Sequence, residues 1–319
     1  MTATDISPAT VEVLTGAIGR LALSERSLGT YLTYRIGGPA ALLVEVQNEL
    51  DLLEVHRALI DADEPVPVLV VGKGSNMLVS DDGFGGLVIL LGRGLDTVDI
   101  SGTSVSAGGS TSLPVLARRC VAAGLTGLEW AVGVPGSVGG AVRMNAGGHG
   151  AEIAKVLVSC RTVDLLIGIV TDNPVSALGY SYRHSLLATS QVVTQAEFAL
   201  SAGDRSRSEE ELASIVRWRR ANQPGGSNSG SVFVNPPGDS AGRLIDAAGL
   251  KGYRIGTATV SDKHANFIQA DVGGSARDVH ALLVHVRDVV QHQFGVTLVP
   301  EVRLVGFPDS PTPLIVGGN

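Results

Sequence analysis

From Gly127 to Gly150 the chain places eight glycines in 24 residues, and neither a Gly-X-Y period nor a low-complexity tract accounts for them. Glycine inside a helix or strand costs about 0.5–1 kcal/mol relative to alanine. So dense a run is tolerated where backbone must turn sharply or come close to something. A flat or diphosphate-bearing ligand pressed against this backbone would explain it; a set of loops at domain-packing contacts is the alternative. A shorter run, Gly72-Lys-Gly-Ser-Asn, follows the apolar stretch Val66 to Val71. Its small residues and free N–H groups suit an anion nest or, more plainly, a tight turn. It is not a Rossmann fingerprint, because G-x-G-x-x-G would need its third glycine where Met77 stands.

The chain has 319 residues, which at roughly 100–200 residues per domain predicts two or three domains. Hydrophobic residues at 44% and charged residues at 17% describe a folded, soluble protein rather than a disordered one. The net charge of −7 gives no general footprint for a polyanion, so nucleic acid is not expected as a partner, although a local basic pocket is allowed. Cys120 and Cys160 cannot build a disulfide framework and read as small apolar fillers. No apolar run approaches the 18 or so residues of a membrane span, and Met1-Thr-Ala-Thr-Asp-Ile lacks the features of a signal peptide and reads as a frayed start. The expected location is the cytoplasm.

Helical and strand signals alternate irregularly, which points to an α+β chain. Asn48 can cap a helix with Leu52, Leu53, His56, Leu59 and Ile60 on one stripe, leading into a buried strand at 66–71. The segment 72–86 reads as a glycine-rich turn before a strand at 87–91, and 97–107 reads as a hairpin around Gly102. Ser112 opens a short helix ended by Gly124, and strands resume at 155–163 and 191–200. The polar segment 201–208 looks like a linker, after which Ser208 and Glu211 form a capping box for a helix through Arg220. Asp239 is expected to cap a helix to Ala248, 260–269 to be one strand, and 296–305 a last strand. Ser275 and Asp278 cap the clearest helix, apolar at Val279, Leu282, Leu283, Val286, Val289 and Val290 and closed by Gly295.

Taken singly, the polar residues are undistinguished. Ser231 is a loop serine without the G-x-S-x-G elbow of the hydrolases, and Arg183, Glu301, Arg217, Arg219 and Arg220 read as solvated charges. His149 could be a base, a metal ligand, a flavin attachment point or a structural hydrogen-bonder. No H-E-x-x-H or C-x-x-C spacing points to a metal.

Together, a series of co-linear segments resembles the UDP-N-acetylenolpyruvoylglucosamine reductase family. They are Tyr34-Arg-Ile-Gly-Gly-Pro-Ala, Gly72-Lys-Gly-Ser-Asn-Met-Leu-Val-Ser-Asp, Gly133-Val-Pro-Gly-Ser-Val-Gly-Gly-Ala-Val-Arg-Met-Asn-Ala-Gly, Tyr182-Arg-His-Ser, Gly230-Ser-Val-Phe, Ala248-Gly-Leu-Lys-Gly, Lys263-His-Ala-Asn-Phe-Ile and Pro300-Glu-Val-Arg. The resemblance implies an FAD-binding half of the vanillyl-alcohol oxidase type, built of two α+β subdomains at 1–92 and 93–204, and an α+β substrate domain at 205–319. It implies noncovalent FAD held by Gly72, Gly74, Ser75 and Asn76 and by Gly133, Pro135, Gly136, Ser137, Gly139, Gly140 and Asn145. It carries over a catalytic trio of Arg183, Ser231 and Glu301, with Asn235 at the substrate diphosphate and no metal.

The activity implied is reduction of the enolpyruvyl ether of UDP-N-acetylglucosamine enolpyruvate to UDP-N-acetylmuramate, a precursor of bacterial peptidoglycan, with NADPH reducing FAD first and leaving before the second substrate enters. An enol ether is electron-rich and accepts hydride only if its carboxylate is polarised to take up developing negative charge. Arg183 and Glu301 fit that task, and Ser231 is the family's proton donor to the adjacent carbon.

Two departures stand out. Val234 occupies the position where the family often has Lys, so a cation for the substrate diphosphate is missing, with Lys251 or Arg254 as its expected replacement. His184 follows Arg183 where Asp or Tyr is common. Two other readings stay open: an oxidase of the same fold with FAD attached covalently through His149, and a non-catalytic nucleotide-sugar binding protein, which would not need the trio.

Overall fold

A computed structural model describes residues 5–24 and 26–318; Met1 to Thr4, part of the stretch read as a frayed start, lie outside it. The first sheet runs in the order Ala40–Val46, Phe84–Leu91, Val66–Val71, Leu314–Val316. The first three strands are parallel and the last is antiparallel. Strands of a parallel sheet are covered on both faces, which is why Leu87 to Leu90 and Val66 to Leu69 are buried without alternation. Helices α1 (Pro8–Ile18) and α2 (Glu49–Ile60) supply Leu14, Ile18, Leu52, Val55 and Leu59 to the core on this sheet. Asn48 caps α2 as expected, its Oδ1 accepting the Asp51 amide at 3.0 Å.

A second, antiparallel sheet has five strands in the order Ile169–Pro174, Leu157–Asp164, Gln191–Ala199, Ser104–Gly108, Val98–Ser101. The hairpin around Gly102 is present, with Gly102 in the left-handed region at φ 59°. Helices α3 (Leu113–Ala122) and α4 (Val138–Arg143) share its core with Phe198, Ala196 and Val193. Cys120 and Cys160 lie buried there as free thiols, both pushed up to about 11 mainly by burial.

The remaining elements are α5 (Arg205–Asn222), α6 (Ala241–Ala247), a small sheet of Arg254–Ile255, Ala258–Val260 and Ile268–Ala270, and α7 (Ala276–Phe294). Strand Arg303–Val305 then pairs in parallel with Met77–Val79. Tyr34, Ile36 and Leu78 belong to the same core as Val232, Phe233 and the apolar face of α7, so this part is packed directly on the first sheet's loops.

Several boundaries differ from the sequence reading, each for a local reason. The segment 201–208 is no linker: Ser201–Ala202 pairs with Leu125–Thr126, and α5 begins at Arg205 with Asp204 as its cap. Ser208 is buried inside that helix, and its hydroxyl donates to Glu129 Oε1 at 2.6 Å. Ser240 rather than Asp239 caps α6, while Asp239 pairs with Arg243. The expected strand 260–269 is two strands, because Ser261 Oγ accepts the Lys263 and His264 amides and turns the chain. Of the expected last strand 303–305 forms a regular strand, preceded by an isolated antiparallel bridge between Pro300 and Phe233, and the turn region 72–86 contains strand Met77–Val79.

Candidate active site

The two glycine runs face each other. Gly72 stands where a Cβ would fall 2.4 Å from Ser137 Oγ, and a Cβ on Gly136 would come within 3.6 Å of Ser75 Oγ. Gly74 is at φ 56°, and its carbonyl accepts the Thr33 amide at 3.1 Å. Ser137 caps α4, its Oγ accepting the Gly140 amide at 3.3 Å. Between them lies a cleft of about 100 Å³ whose walls include Gly72, Ser137, Gly139, Gly140, Arg143 and Arg303.

Gly139 also lets α4 approach the sheet, since its Cβ would lie 3.0 Å from the Gly109 carbonyl oxygen. Not every residue of the second run faces that cleft: Gly133 abuts Ile215 of α5. Pro135 lies in the turn between Gly133 and Gly139, where the Gly136 amide donates to the Val134 carbonyl at 2.9 Å. Asn145 is buried at φ 41° and engaged with protein: its Nδ2 donates to the Ser181 carbonyl at 3.1 Å and its Oδ1 accepts the Ala154 amide at 3.1 Å. It thereby anchors the turn that carries Arg183 rather than lining the cleft. His149 is exposed and packs edge-on to Trp218 at 5.3 Å between ring centres.

Arg183 sits at φ 54° in a tight turn closed by mutual hydrogen bonds of Ser181 and His184. That backbone state is costly for a residue with a Cβ, of order 1–3 kcal/mol, and persists where surrounding contacts hold it. Here they do: Nε donates to Glu301 Oε1 at 3.0 Å, and Nη2 donates to the Gly147 carbonyl at 3.1 Å. The guanidinium also lies 5.0 Å from the centre of the Tyr182 ring.

Glu301 is pinned from two sides, its amide donating to the Val232 carbonyl at 2.9 Å and its carbonyl accepting Asn76 Nδ2 at 3.0 Å. Ser231 immediately precedes Val232, is half-buried, and makes no hydrogen bond among the described residues. The trio therefore converges from three distant segments, and Asn76 of the first glycine run ties it to the cleft.

The residues expected at the substrate diphosphate are spread more widely. Asn235 is exposed, and its Oδ1 accepts the Ala241 amide at 3.0 Å, which leaves Nδ2 free to donate. Lys251 pairs with Asp246 at 2.7 Å, and Arg254 pairs with Asp271; both ion pairs are exposed. Either cation would have to exchange its carboxylate to take a phosphate.

Two residues missed in the sequence stand out here. Arg143 projects from the end of α4 and donates to the carbonyls of Leu187, Ala188 and Gln191. Arg303 has no carboxylate partner among the described residues. Burial lowers the pKa of both, and for Arg143 the like charge of Arg303 adds to that. Two desolvated guanidinium groups facing each other are costly unless an anion joins them. Both carried a signal: Arg143 lies inside the second glycine run, and Arg303 is two residues beyond Glu301, on the same face of an extended chain. A glycine-floored cleft with two unneutralised arginines fits a dinucleotide's diphosphate.

Comparison with known proteins agrees. A family described as UDP-N-acetylenolpyruvoylglucosamine reductase, C-terminal domain, matches residues 222–305, and an FAD binding domain matches residues 40–170. The UDP-N-acetylenolpyruvoylglucosamine reductase 2 of Symbiobacterium thermophilum is 43% identical over 90% of this chain and 93% of its own. The chain belongs to the UDP-N-acetylenolpyruvoylglucosamine reductase family. A reductase of Halalkalibacterium halodurans is 40% identical over 91% of this chain and 95% of its own. The crystal structure of the UDP-N-acetylenolpyruvylglucosamine reductase of Thermus caldophilus superposes with a TM-score of 0.77 at 36% identity, over 89% of this chain and 99% of that one. The protein is thus an FAD-dependent oxidoreductase of peptidoglycan precursor synthesis, with the α+β architecture and the FAD-binding half expected of it. Among the described residues no helix is long and apolar enough to cross a membrane.

Proposed function

We propose that this reductase converts UDP-N-acetylglucosamine enolpyruvate to UDP-N-acetylmuramate at the expense of NADPH, in the cytoplasm, with FAD held noncovalently. The observation that carries this reading is the Arg183–Glu301 pair fixed one residue away from the segment bearing Ser231. When bound, FAD supplies the relay of hydride from NADPH to the enol ether. Gly72, Gly74, Ser75, Asn76, Gly136, Ser137 and Gly140 hold it through backbone and small side chains, and Arg143 and Arg303 neutralise its diphosphate. Gly139 joins them in the cleft wall, while Gly133, Pro135 and Asn145 serve it indirectly, by shaping the second run.

Arg183 holds the substrate carboxylate in place of part of its contact with Glu301, and draws off the negative charge that develops there. Ser231 hands its hydroxyl proton to the carbon next to that carboxylate. Its lack of a protein partner leaves that hydroxyl free to orient toward substrate. Asn235 Nδ2 donates to the nucleotide diphosphate, with Lys251 or Arg254 exchanging its exposed carboxylate partner to add charge. The division into 1–92, 93–204 and 205–319 follows the two sheets and the α7 region only in outline, since Val316 joins the core on the first sheet, Ile215 of α5 that on the second, and Tyr34 and Leu78 that of α7.

The test pairs a spectrum with an assay. Purified protein should show flavin bands near roughly 370 and 450 nm that acid precipitation releases from the pellet, and NADPH with the enolpyruvyl nucleotide should yield the lactyl ether. Arg183→Ala should lose product formation while NADPH still bleaches the flavin. Protein that cannot be reconstituted with FAD, or that leaves this nucleotide unchanged, overturns the reading.

A further inference from the structure

Two buried hydroxyls are left without hydrogen bonds near the proton-donor segment. Tyr34 is 0% exposed and Ser229 is 5% exposed, and neither Tyr34 Oη nor Ser229 Oγ has a partner at hydrogen-bond geometry among the described residues. They face one another: burial raises the Tyr34 phenol far above its usual pKa, and Ser229 is the one neighbour that works against the rise. A buried hydroxyl without a partner is rare in folded proteins and calls for a reason.

The pair joins two pieces of the active site, the first glycine run and the Ser231 segment, which Asn76 also links by way of the Glu301 carbonyl at 3.0 Å. On one side, Thr33 is bonded twice to the Gly74 carbonyl, through its amide at 3.1 Å and its hydroxyl at 3.3 Å, so Tyr34 is an extension of the first glycine run. On the other side, Ser229 is separated from Ser231 by Gly230 alone. Gly230 is at φ 81°, and a Cβ there would meet nothing within 4 Å, so glycine is needed for its backbone and not for space. Beyond Ser231 the chain is held firmly, the Val232 amide donating to the Asn266 carbonyl at 2.9 Å and the Phe233 amide to Asn266 Oδ1 at 3.0 Å. Before it, Gly230 is held only by its own neighbour, donating to Asn228 Oδ1 at 3.1 Å.

We infer that Tyr34 and Ser229 are positioning residues whose hydroxyl contact fixes the Ser231 hydroxyl relative to the cofactor run. The inference rests on the reading of Ser231 as proton donor. A role as a proton relay has no route, since Tyr34 Oη has no second partner among the described residues to hand a proton to, and a lone phenolate would be costly at this burial. Tyr34 stays protonated, and Ser229 donates to its oxygen, the sense in which this serine lowers the phenol's pKa.

The test compares Tyr34→Phe, Ser229→Ala, the double variant and Ser229→Thr in the full-length holoenzyme. Displacing a reacting group by about 1 Å can cost on the order of 10²-fold. Each deletion should therefore slow product formation by roughly 10- to 100-fold, with the KM for the enolpyruvyl nucleotide and flavin bleaching by NADPH changed by less than about twofold. The double variant should be no slower than the worse single one, and Ser229→Thr should recover most of the rate. Amide hydrogen exchange supplies a readout that needs no substrate: in Tyr34→Phe the Gly230, Val232 and Phe233 amides should exchange faster, without acceleration elsewhere. If wild-type protein fails to turn over the nucleotide, the proposed reaction falls, and the exchange result alone decides whether the pair holds the loop. Unchanged exchange in both single variants overturns the inference, as does equal loss in both half-reactions with a lowered melting temperature.

Discussion

Asp81 accepts the Ser275 hydroxyl at 2.7 Å across 194 residues of sequence. The same carboxylate takes the Ala276 amide at 2.8 Å and the Arg277 amide at 3.0 Å, so a turn of the first sheet caps α7 from outside. Burial would raise this carboxyl, but Ser275 and the two amides outweigh it and hold its pKa below the usual range. A depressed carboxyl adds stability that is complete above its unfolded value of about 3.9 and is lost as pH falls through the folded value. Asp81→Ala should cost about 1–3 kcal/mol at neutral pH, and the gap to wild type should close as pH drops below about 4. Urea unfolding across pH reads both; a gap independent of pH would contradict the charge argument.

Arg303→Met keeps the length of the side chain and removes its charge. If Arg303 and Arg143 meet the FAD diphosphate, the variant should bind FAD roughly 10- to 100-fold more weakly, as loss of a charge-assisted hydrogen bond predicts. Added salt should weaken the wild-type complex more than the variant's. Titration of apoprotein with FAD, followed by flavin fluorescence, measures this. Equal affinity would place the diphosphate elsewhere.

Ser231→Ala removes one hydroxyl that makes no protein hydrogen bond, so stability should barely change. Product formation should fall by roughly 10²–10⁴-fold, the range of general acid catalysis, while NADPH bleaches the flavin at the wild-type rate. Stopped-flow absorbance follows the flavin, and chromatography follows the product, because reoxidation could stay fast if protonation comes after a committed hydride transfer. Unchanged product formation would give the proton to another donor.

Gly74→Ala meets two obstacles at once. Its φ of 56° disfavours a Cβ, and that Cβ would fall 2.3 Å from the Tyr31 carbonyl oxygen, which is backbone and cannot swing aside. The left-handed state alone costs about 1–2 kcal/mol, so thermal unfolding should shift down clearly, with FAD binding reduced in protein that remains folded. Gly102→Ala, where a Cβ meets nothing within 4 Å, is the control and should cost only the backbone share.

What could be read from the sequence was what local pattern encodes. Helix α7 is an example: Ser275 accepts the Arg277 and Asp278 amides, Gly295 ends the helix at φ 68°, and the apolar stripe between them is buried. The glycine runs were equally plain, since crowding them has no local explanation. Strand Ile169–Pro174 was invisible because nearly all of it is exposed, so it carries no alternation. Ser208 imitated a cap while being buried against Glu129, and only the fold reveals that partner. Arg143 and Arg303 escaped for a related reason: their places in the motifs were visible, but that neither has an acid partner is seen only once both elements are in place. The same holds for Asn145, whose motif suggested cofactor contact but whose amide holds the Arg183 turn.

Strand Leu314–Val316 covers the free edge of Val66–Val71, and Arg303–Val305 covers that of Met77–Val79. A ribosome delivers the inner strands of the first sheet long before it delivers either partner. In that interval Val66, Val68 and Leu69 sit on a bare edge, the kind of surface that pairs with any strand at hand. Nascent chains stalled before residue 303 should therefore aggregate or recruit chaperones, and the cleft between the glycine runs, which takes Arg303 as one of its walls, is not complete until that segment has been made.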